Sequence, residues 1–146
     1  MTTVNVYITF KDNCMEAFEF YKSVFGGEFT YVGKFGDMPS QEGMPPVPES
    51  EKDKIMHISL PISNETMLMG SDSSDAFGHV TLMGNNFAVS INTDSKEEAD
   101  RLFHGLSDGG KVTMPMNQTF WGAYFGMFTD KFNINWMISV ESNEQN

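Results

Sequence analysis

The sequence predicts an α+β protein built from two copies of a β-α-β-β-β module. Two segments carry the repeat: NCMEAFEFYKSVFGG at residues 13–27 and SKEEADRLFHGLSDGG at residues 95–110. Each begins with a helix-capping residue, has Glu three places later, shows an apolar face at helical spacing and ends in Gly-Gly. Each is preceded by one alternating apolar segment and followed by three more. A repeat of this kind predicts a duplicated architecture.

The first module begins with a strand in which Val4, Val6, Ile8 and Phe10 alternate with polar residues. Asn13 then predicts the start of a helix, with Glu16 at the capping-box position. A strand at about residues 28–35 follows, and KIMHISLPI and ETMLMGSD form a hairpin around residues 63–64. The segment at 37–53 is rich in Pro, Ser and acids, which predicts a mobile surface loop. The predicted buried stripe of the helix is Cys14, Ala17, Phe18, Tyr21, Val24 and Phe25.

The second module repeats this order. Residues 85–94 alternate as a strand, and Ser95 with Glu98 forms an S-x-x-E capping box. Three more strands are predicted in KVTMPM, WGAYFGMFTD and INWMISVE. Half of this chain buries too little apolar surface to be stable alone. We therefore expect one domain over residues 1–146, made of a module at 1–72, a connection at 73–84 and a module at 85–141. The predicted buried stripe of the second helix is Ala99, Leu102, Phe103 and Leu106.

The composition excludes several classes of partner. Nine Lys and Arg against 20 Asp and Glu give a formal net charge of −11, which repels phosphate backbones and anionic lipid surfaces. The acidic excess is interpreted as a solvated surface. Cys14 is the single cysteine, so no internal disulfide forms and a reducing compartment is expected. Cys14 is interpreted as a small buried residue, not a nucleophile. With no signal-peptide pattern and no long apolar run, a cytoplasmic protein is expected.

Five motifs carry a family resemblance in chain order. They are F-x-x-N-C-x-E-A-F-x-F-Y-x-x-V-F-G-G at 10–27, K-I-M-H at 54–57, L-M-G-S-D at 68–72, F-W-G-x-x-F-G at 120–126 and D-K-F-N-x-x-W-M at 130–137. On these residues the chain resembles the PhnB-like family of the vicinal oxygen chelate (glyoxalase/bleomycin resistance/dioxygenase) superfamily. Asn133 holds a place where the family motif has Gly. Asn tolerates positive φ, so the turn is expected to be kept.

The resemblance implies two modules pairing into one curled mixed sheet around an open cavity, often in a homodimer. In the enzymes of the superfamily, a divalent metal in that cavity chelates two neighbouring substrate oxygens. Their metal ligands are His, Glu or Gln from the first and last strands of each module. At those places this sequence offers Tyr, Thr, Met, Ala, Ser and Asn, with Glu141 only at a strand tip. No metal ligand is therefore assigned, and no cofactor is expected.

His57 is the one histidine inside a predicted strand, on its more polar face, whereas His79 and His104 are expected at the surface. Since histidine changes charge near neutral pH, His57 is a candidate acid/base or lone ligand. A structural histidine bonded to backbone or to a neighbouring hydroxyl is the alternative. Trp121, beside Gly122 in a turn-rich stretch, is expected to cover a cavity mouth. The predicted ligand-binding set is Tyr7, Thr9, His57, Ser59, Met69, Trp121 and Trp136.

Three functions follow from these residues. The first is metal-independent binding of a small, partly apolar molecule by the predicted set. The second is an enzyme of lyase or dioxygenase type acting on a small oxygenated metabolite, with His57 catalytic and Asp72 or Glu141 assisting. The third is a structural dimerisation module without a ligand.

Overall fold

Two four-stranded mixed sheets, each carrying one α-helix, make up the fold. The computed structural model describes residues 2–39, 42–43, 46–74 and 80–141, and the chain divides into two units, Met1–Leu82 and Met83–Asn146. Unit 1 contains β1 (Val6–Phe10), α1 (Cys14–Phe25), β2 (Tyr31–Lys34), β3 (Ile55–Pro61) and β4 (Met67–Asp72). Unit 2 contains β5 (Val89–Asn92), α2 (Lys96–Ser107), β6 (Lys111–Gln118), β7 (Ala123–Thr129) and β8 (Asn135–Glu141).

The strand order is the same in both units. It is β1-β4-β3-β2 in unit 1 and β5-β8-β7-β6 in unit 2. In each unit the first and last strands pair in parallel and the remaining neighbours are antiparallel. The predicted β-α-β-β-β modules are thereby confirmed. Neither α-helix, at 12 residues each, is long and apolar enough to cross a membrane.

The core of unit 1 lies between α1 and one face of its sheet. The predicted helix stripe is confirmed for Cys14, Ala17, Phe18, Tyr21 and Val24, while Phe25 is only half-buried. The facing strand residues Ile8, Phe10, Ile58, Leu60 and Leu68 are also buried. Gly70 permits close approach, because a Cβ there would lie 2.8 Å from the Phe18 ring and 2.6 Å from the Ile8 carbonyl oxygen.

The core of unit 2 repeats this packing. All four predicted residues of the α2 stripe are buried, together with Val89, Phe128, Trp136 and Ile138 of the sheet. Asn133 has φ of 68°, so the prediction that Asn replaces Gly at a positive-φ turn position is confirmed. Burial of apolar surface between helix and sheet stabilises each unit by about 25 cal/mol per Å².

The two helices begin differently from one another. Ser95 accepts a hydrogen bond from the Glu98 backbone N–H at 3.2 Å, as predicted, although the Glu98 carboxylate pairs with Arg101 at 2.6 Å. Asn13 occupies the predicted N-cap position of α1, but the side-chain hydrogen bond expected of a capping residue is not formed. The carboxylate of Asp72, at the end of β4, accepts from the Cys14 N–H at 2.9 Å instead.

Among the residues that the structure describes, three acidic side chains are buried: Glu51, Asp72 and Asp130. The interpretation of the acids as a solvated surface is wrong for these residues. Glu51 lies in a short 3-10 turn, Glu49–Glu51, and accepts from Ser74 at 3.1 Å and from Lys54 at 2.7 Å. The predicted loop at 37–53 is therefore anchored at its carboxyl end. Residues 40, 41, 44 and 45 of that loop lie outside the described part of the chain.

Asp72 joins three elements of unit 1. One of its oxygens accepts from Cys14 at the start of α1, and the other accepts from the Ile55 N–H of β3 at 2.8 Å. Burial nevertheless raises the pKa of the Asp72 carboxyl, against the opposing effect of these N–H groups and of Lys54. The folded state therefore binds a proton at Asp72 more tightly than the unfolded chain does.

Because the folded pKa of Asp72 is raised, its carboxylate lowers stability as the pH rises through that value, and the cost disappears as the pH falls. We expect Asp72→Asn to lose about 1–3 kcal/mol, since its amide N–H₂ would face a backbone N–H. The loss should grow as the pH is lowered from about 7 toward about 4, the ordinary value of an aspartate, because the wild-type carboxyl becomes protonated in this range. Urea unfolding across this range measures it, with exposed Asp53→Asn as the control. Parallel pH profiles for wild type and Asp72→Asn would contradict the assignment.

Candidate functional site

The candidate site is the face of the unit 1 sheet opposite α1. Strand register places Tyr7 beside Met69, Met69 beside Ser59, and Ser59 beside Tyr31, in one row across all four strands. Facing side chains of paired residues point to the same side of a sheet. Five of the predicted ligand-binding residues therefore lie on this face: Tyr7, Thr9, His57, Ser59 and Met69.

His57 lies at the centre of this face between two tyrosine rings. Its Nδ1 is 3.3 Å from the Tyr7 hydroxyl and its Nε2 is 3.0 Å from Ser59 Oγ. The ring centroids of Tyr7 and Tyr31 are 5.6 and 5.7 Å from that of the imidazole. We call Tyr7, Tyr31, His57 and Ser59 the imidazole cluster.

The two hydroxyl partners suit His57 in every protonation state. A neutral imidazole donates from one nitrogen and accepts at the other, and a hydroxyl can do either. A protonated ring donates from both nitrogens, and both hydroxyls can accept. The two hydroxyls therefore hold the orientation of the imidazole ring. This geometry is compatible with ligand binding and also with the structural alternative for His57.

Tyr31 is a member of the cluster that the sequence reasoning missed. A Cβ on Gly33 would lie 2.7 Å from the Tyr31 hydroxyl oxygen, so the Tyr31 side chain lies over Gly33. Gly33 is also the register partner of His57. Because Gly33 has no side chain, the Tyr31 ring can lie above the strand position that pairs with His57. A Tyr two residues before a strand Gly was the available signal.

Tyr7 and Tyr31 are 47% and 51% exposed, whereas Ser59 is buried. The cluster therefore presents two accessible aromatic rings with a hydroxyl and an imidazole between them. Aromatic rings and a few placed polar groups are the usual composition of a small-molecule site.

Asp72, one of the two helpers named for the enzyme hypothesis, does not share a sheet face with His57. Asp72 alternates with Leu68 and Gly70 on the α1 side of the sheet, and its carboxylate binds backbone N–H groups. Glu141 is an exposed residue at the end of β8 in unit 2. Burial, with the nearby charge of Asp72, raises the pKa of the Cys14 thiol far above its ordinary value, so Cys14 is not an activated nucleophile.

The two predicted tryptophans belong to unit 2. Trp136 is 0% exposed and donates from Nε1 to Asp130 at 2.9 Å, so its side chain is part of the core. Trp121 is 54% exposed and packs edge-to-face against Phe120 and Phe125. A ligand contact for Trp121 stays a prediction. Of the other histidines, His104 is exposed as predicted, and His79 lies outside the described residues.

Unit 2 contains an open cavity of about 900 Å³. Its lining comes from the segment at 83–88, from Thr113 of β6, and from β7, β8 and the turn between them. Asn135 bonds to two of these parts, because it accepts from Thr129 Oγ1 at 2.7 Å and donates to the Phe87 carbonyl at 3.4 Å. Sequence reasoning did not identify the residues of this cavity, since they are distant from one another in the chain.

The residues do not fit a divalent metal of the kind that the resemblance implies. At the relevant strand positions unit 1 has Tyr7, Thr9 and Met69, and unit 2 has Ser90 and Met137. Neutral hydroxyls and thioethers are poor ligands for hard or borderline divalent ions. Over residues 2–39, 42–43, 46–74 and 80–141, no group of three His, Cys, Asp or Glu side chains converges.

Two mixed sheets in β-α-β-β-β modules define the class of protein. The sequence profile of the Glyoxalase/Bleomycin resistance protein/Dioxygenase superfamily matches residues 3–138, and the chain belongs to this superfamily. It is similar to protein YjdN of Escherichia coli K12, with 32% identity over 139 residues, 92% of each chain.

Solved structures share the fold. Protein PA1353 from Pseudomonas aeruginosa superposes with a TM-score of 0.83 at 40% identity, over 97% of this chain and 98% of that one. The PhnB protein from Bacillus cereus gives a TM-score of 0.70 at 21% identity, over 95% and 99%. The B. cereus protein thus shares the fold of this chain.

Addition of divalent ions tests whether these side chains are unable to bind a metal. We expect Mn²⁺, Ni²⁺ and Zn²⁺ to cause no saturable rise in the melting temperature of chelator-treated protein. An ion at a hundredfold excess over its dissociation constant would stabilise the native state by about 2.7 kcal/mol, which such a melt detects. A saturable rise that disappears in His57→Ala would overturn this expectation and make His57 a metal ligand.

Proposed function

We propose that the protein binds a small, partly apolar molecule without a metal, through the face formed by the imidazole cluster with Thr9 and Met69. The observation that carries the proposal is the placement of His57 between two half-exposed tyrosines. The tyrosine rings offer flat apolar contact, and Met69 adapts to irregular shapes. The hydroxyls and the imidazole offer donors and acceptors that fix the orientation of the ligand.

Binding is preferred over catalysis because, among the described residues of unit 1, the hydrogen-bond partners of His57 are hydroxyls and not carboxylates. The Tyr7 hydroxyl, at 3.3 Å, is the partner that favours the enzyme alternative. Asp72 lies on the opposite side of the sheet, bonded to backbone groups. A ligand that is only held needs no such helper.

We also propose a cytoplasmic location, on the grounds of the acidic composition and the single cysteine.

Tyr31 provides the sharpest test of the binding face. Catechol is a suitable probe, since it is planar and carries two hydroxyls that complement Ser59 and His57. We expect saturable shifts of the Ser59 and Met69 amide signals in an NMR titration. Tyr31→Ala should weaken binding by about fivefold, because one aromatic contact contributes about 1 kcal/mol.

Tyr124→Ala is the matched control, because Tyr124 is a partly buried tyrosine of β7 in unit 2 that donates to Asp100. It should leave catechol binding unchanged. Equal weakening in Tyr31→Ala and Tyr124→Ala, or no saturable shift in wild type, would refute the proposed binding face.

We further propose that the protein is a homodimer, joined through β6 and the turn that follows it. Val112, Met114 and Phe120 are 44%, 43% and 98% exposed. Residues 111–129 include Lys111 and no acidic residue, although the chain carries −11 overall. Copies of so acidic a chain repel one another, which favours contact through a surface without acids. Pro115 lacks an N–H, so this edge is suited to side-chain packing and not to strand addition.

Light scattering after gel filtration tests the dimer. Met114→Ser with Phe120→Ser should raise the dimer dissociation constant roughly a hundredfold or more, since each buried apolar side chain contributes about 1.5–3 kcal/mol. Leu82→Ser removes a comparably exposed apolar side chain, 88% accessible, and should have no effect. A monomeric wild type, or a double variant that still dimerises, would refute this interface.

A further inference from the structure

The aromatic rings of the imidazole cluster face in different directions. The planes of the Tyr7 and Tyr31 rings are inclined to that of the His57 imidazole by 33° and 52°, with centroid distances of 5.6 and 5.7 Å. The three rings are therefore close together without being coplanar. Both tyrosines are about half-exposed, so a molecule from solution can reach the faces of their rings.

The face of an aromatic ring attracts a cation, because the π electrons give it partial negative charge. Lysines of this chain already make such contacts elsewhere. The ammonium group of Lys22 lies 5.1 Å from the centroid of the Phe29 ring, and that of Lys96 lies 5.2 Å from the centroid of the Tyr124 ring. The accessible rings of Tyr7 and Tyr31 offer the same contact to a cation from solution.

The other side chains of this face are compatible with a bound cation. Thr9, Ser59 and Met69 carry no charge, and Met69 lies in register between Tyr7 and Ser59. The Met69 thioether is polarizable, which suits contact with a positive charge that is spread over methyl groups. The overall charge of −11 attracts cations to the protein and repels anions.

We propose that the ligand of this face is a small organic cation of the quaternary ammonium class that also carries a hydroxyl group. This inference rests on the binding function proposed above and names the chemistry of its ligand. A primary ammonium group would bring three N–H donors to a face without a carboxylate, and burying such donors without acceptors is costly. A quaternary ammonium group has no N–H, and aromatic faces recognise it. The Tyr7 and Ser59 hydroxyls can bond to the hydroxyl of the same molecule.

Choline and its neutral isostere 3,3-dimethyl-1-butanol test the charge of the ligand, because carbon replaces the ammonium nitrogen in an otherwise equal shape. Apolar contact alone would favour the neutral alcohol, since a cation is more strongly hydrated. Two tyrosine faces should reverse this order, so we expect choline to bind at least about fivefold more tightly. The readout is the NMR amide signals of Ser59 and Met69.

The conditions of the titration limit other effects of charge. A pH of about 8 lies above the usual range of histidine protonation. Salt at about 0.15 M reduces the Debye length to about 8 Å, which screens the attraction of choline to the distant acidic residues.

Two variants of Tyr31 separate the ring face from simple apolar contact. Tyr31→Leu removes the aromatic face and keeps an apolar side chain, whereas Tyr31→Phe keeps the face and removes the hydroxyl. Tyr31→Leu should weaken choline binding about threefold, the effect of one exposed cation–π contact, and leave binding of the alcohol unchanged. Tyr31→Phe should bind choline about as tightly as wild type.

Two results would overturn the proposal. One is binding of the neutral alcohol to wild type as tightly as choline. The other is a preference for choline that persists in Tyr31→Leu, because it would then come from the overall charge. The catechol titration distinguishes this failure from that of the binding function. If catechol shifts the two amide signals and choline does not, the ligand class is wrong and the binding face stands. If neither probe shifts them, both proposals are refuted.

Discussion

The buried carboxylate of Asp72 is the contact on which the candidate site depends. It accepts hydrogen bonds from the Cys14 N–H at the amino end of α1 and from the Ile55 N–H at the start of β3. Desolvation of the charge opposes this arrangement, as the raised pKa of Asp72 indicates. Without the carboxylate, however, two buried N–H groups would lack partners. By fixing β3 against β4, Asp72 helps to hold the register that turns His57 away from the helix. A slip of one residue would reverse every side chain of the strand.

Asp130 has a comparable role in unit 2 from a different place in the module. One of its oxygens accepts from the N–H groups of Phe132 and Ile134, and the other accepts from Trp136 Nε1. These bonds fix the turn that contains Asn133, and they hold the Trp136 indole in the core. Since strand side chains alternate, Asn135 and Met137 then point to the opposite face, where the cavity lies. A single carboxylate thus links the turn conformation to the composition of the cavity.

Local patterns were sufficient to predict the helices, the succession of strands along the chain and the positive φ of Asn133, because each depends on spacing or on one residue type. The same alternation placed Tyr7, Ser59 and Met69 on one face. What could not be predicted depends on partners that are distant in the chain. Asp72 replaces Asn13 as the cap of α1 across 58 residues, and nothing near either residue indicates it. The cavity of unit 2 likewise requires residues 83–88 to meet β7 and β8.

The duplicated modules place different chemistry at corresponding positions. The row Tyr7–Met69–Ser59–Tyr31 in unit 1 corresponds by strand order to Ser90–Met137–Met127–Met114 in unit 2. Met69 and Met137 occupy the same place, while the aromatic and hydroxyl groups around Met69 are replaced by thioethers and one serine around Met137. Neither row offers the carboxylates and imidazoles that a divalent ion requires. The fold of the superfamily is retained here, while the strand positions at which its metal ligands are expected carry uncharged side chains, whose chemistry favours hydrogen bonding and apolar contact over chelation.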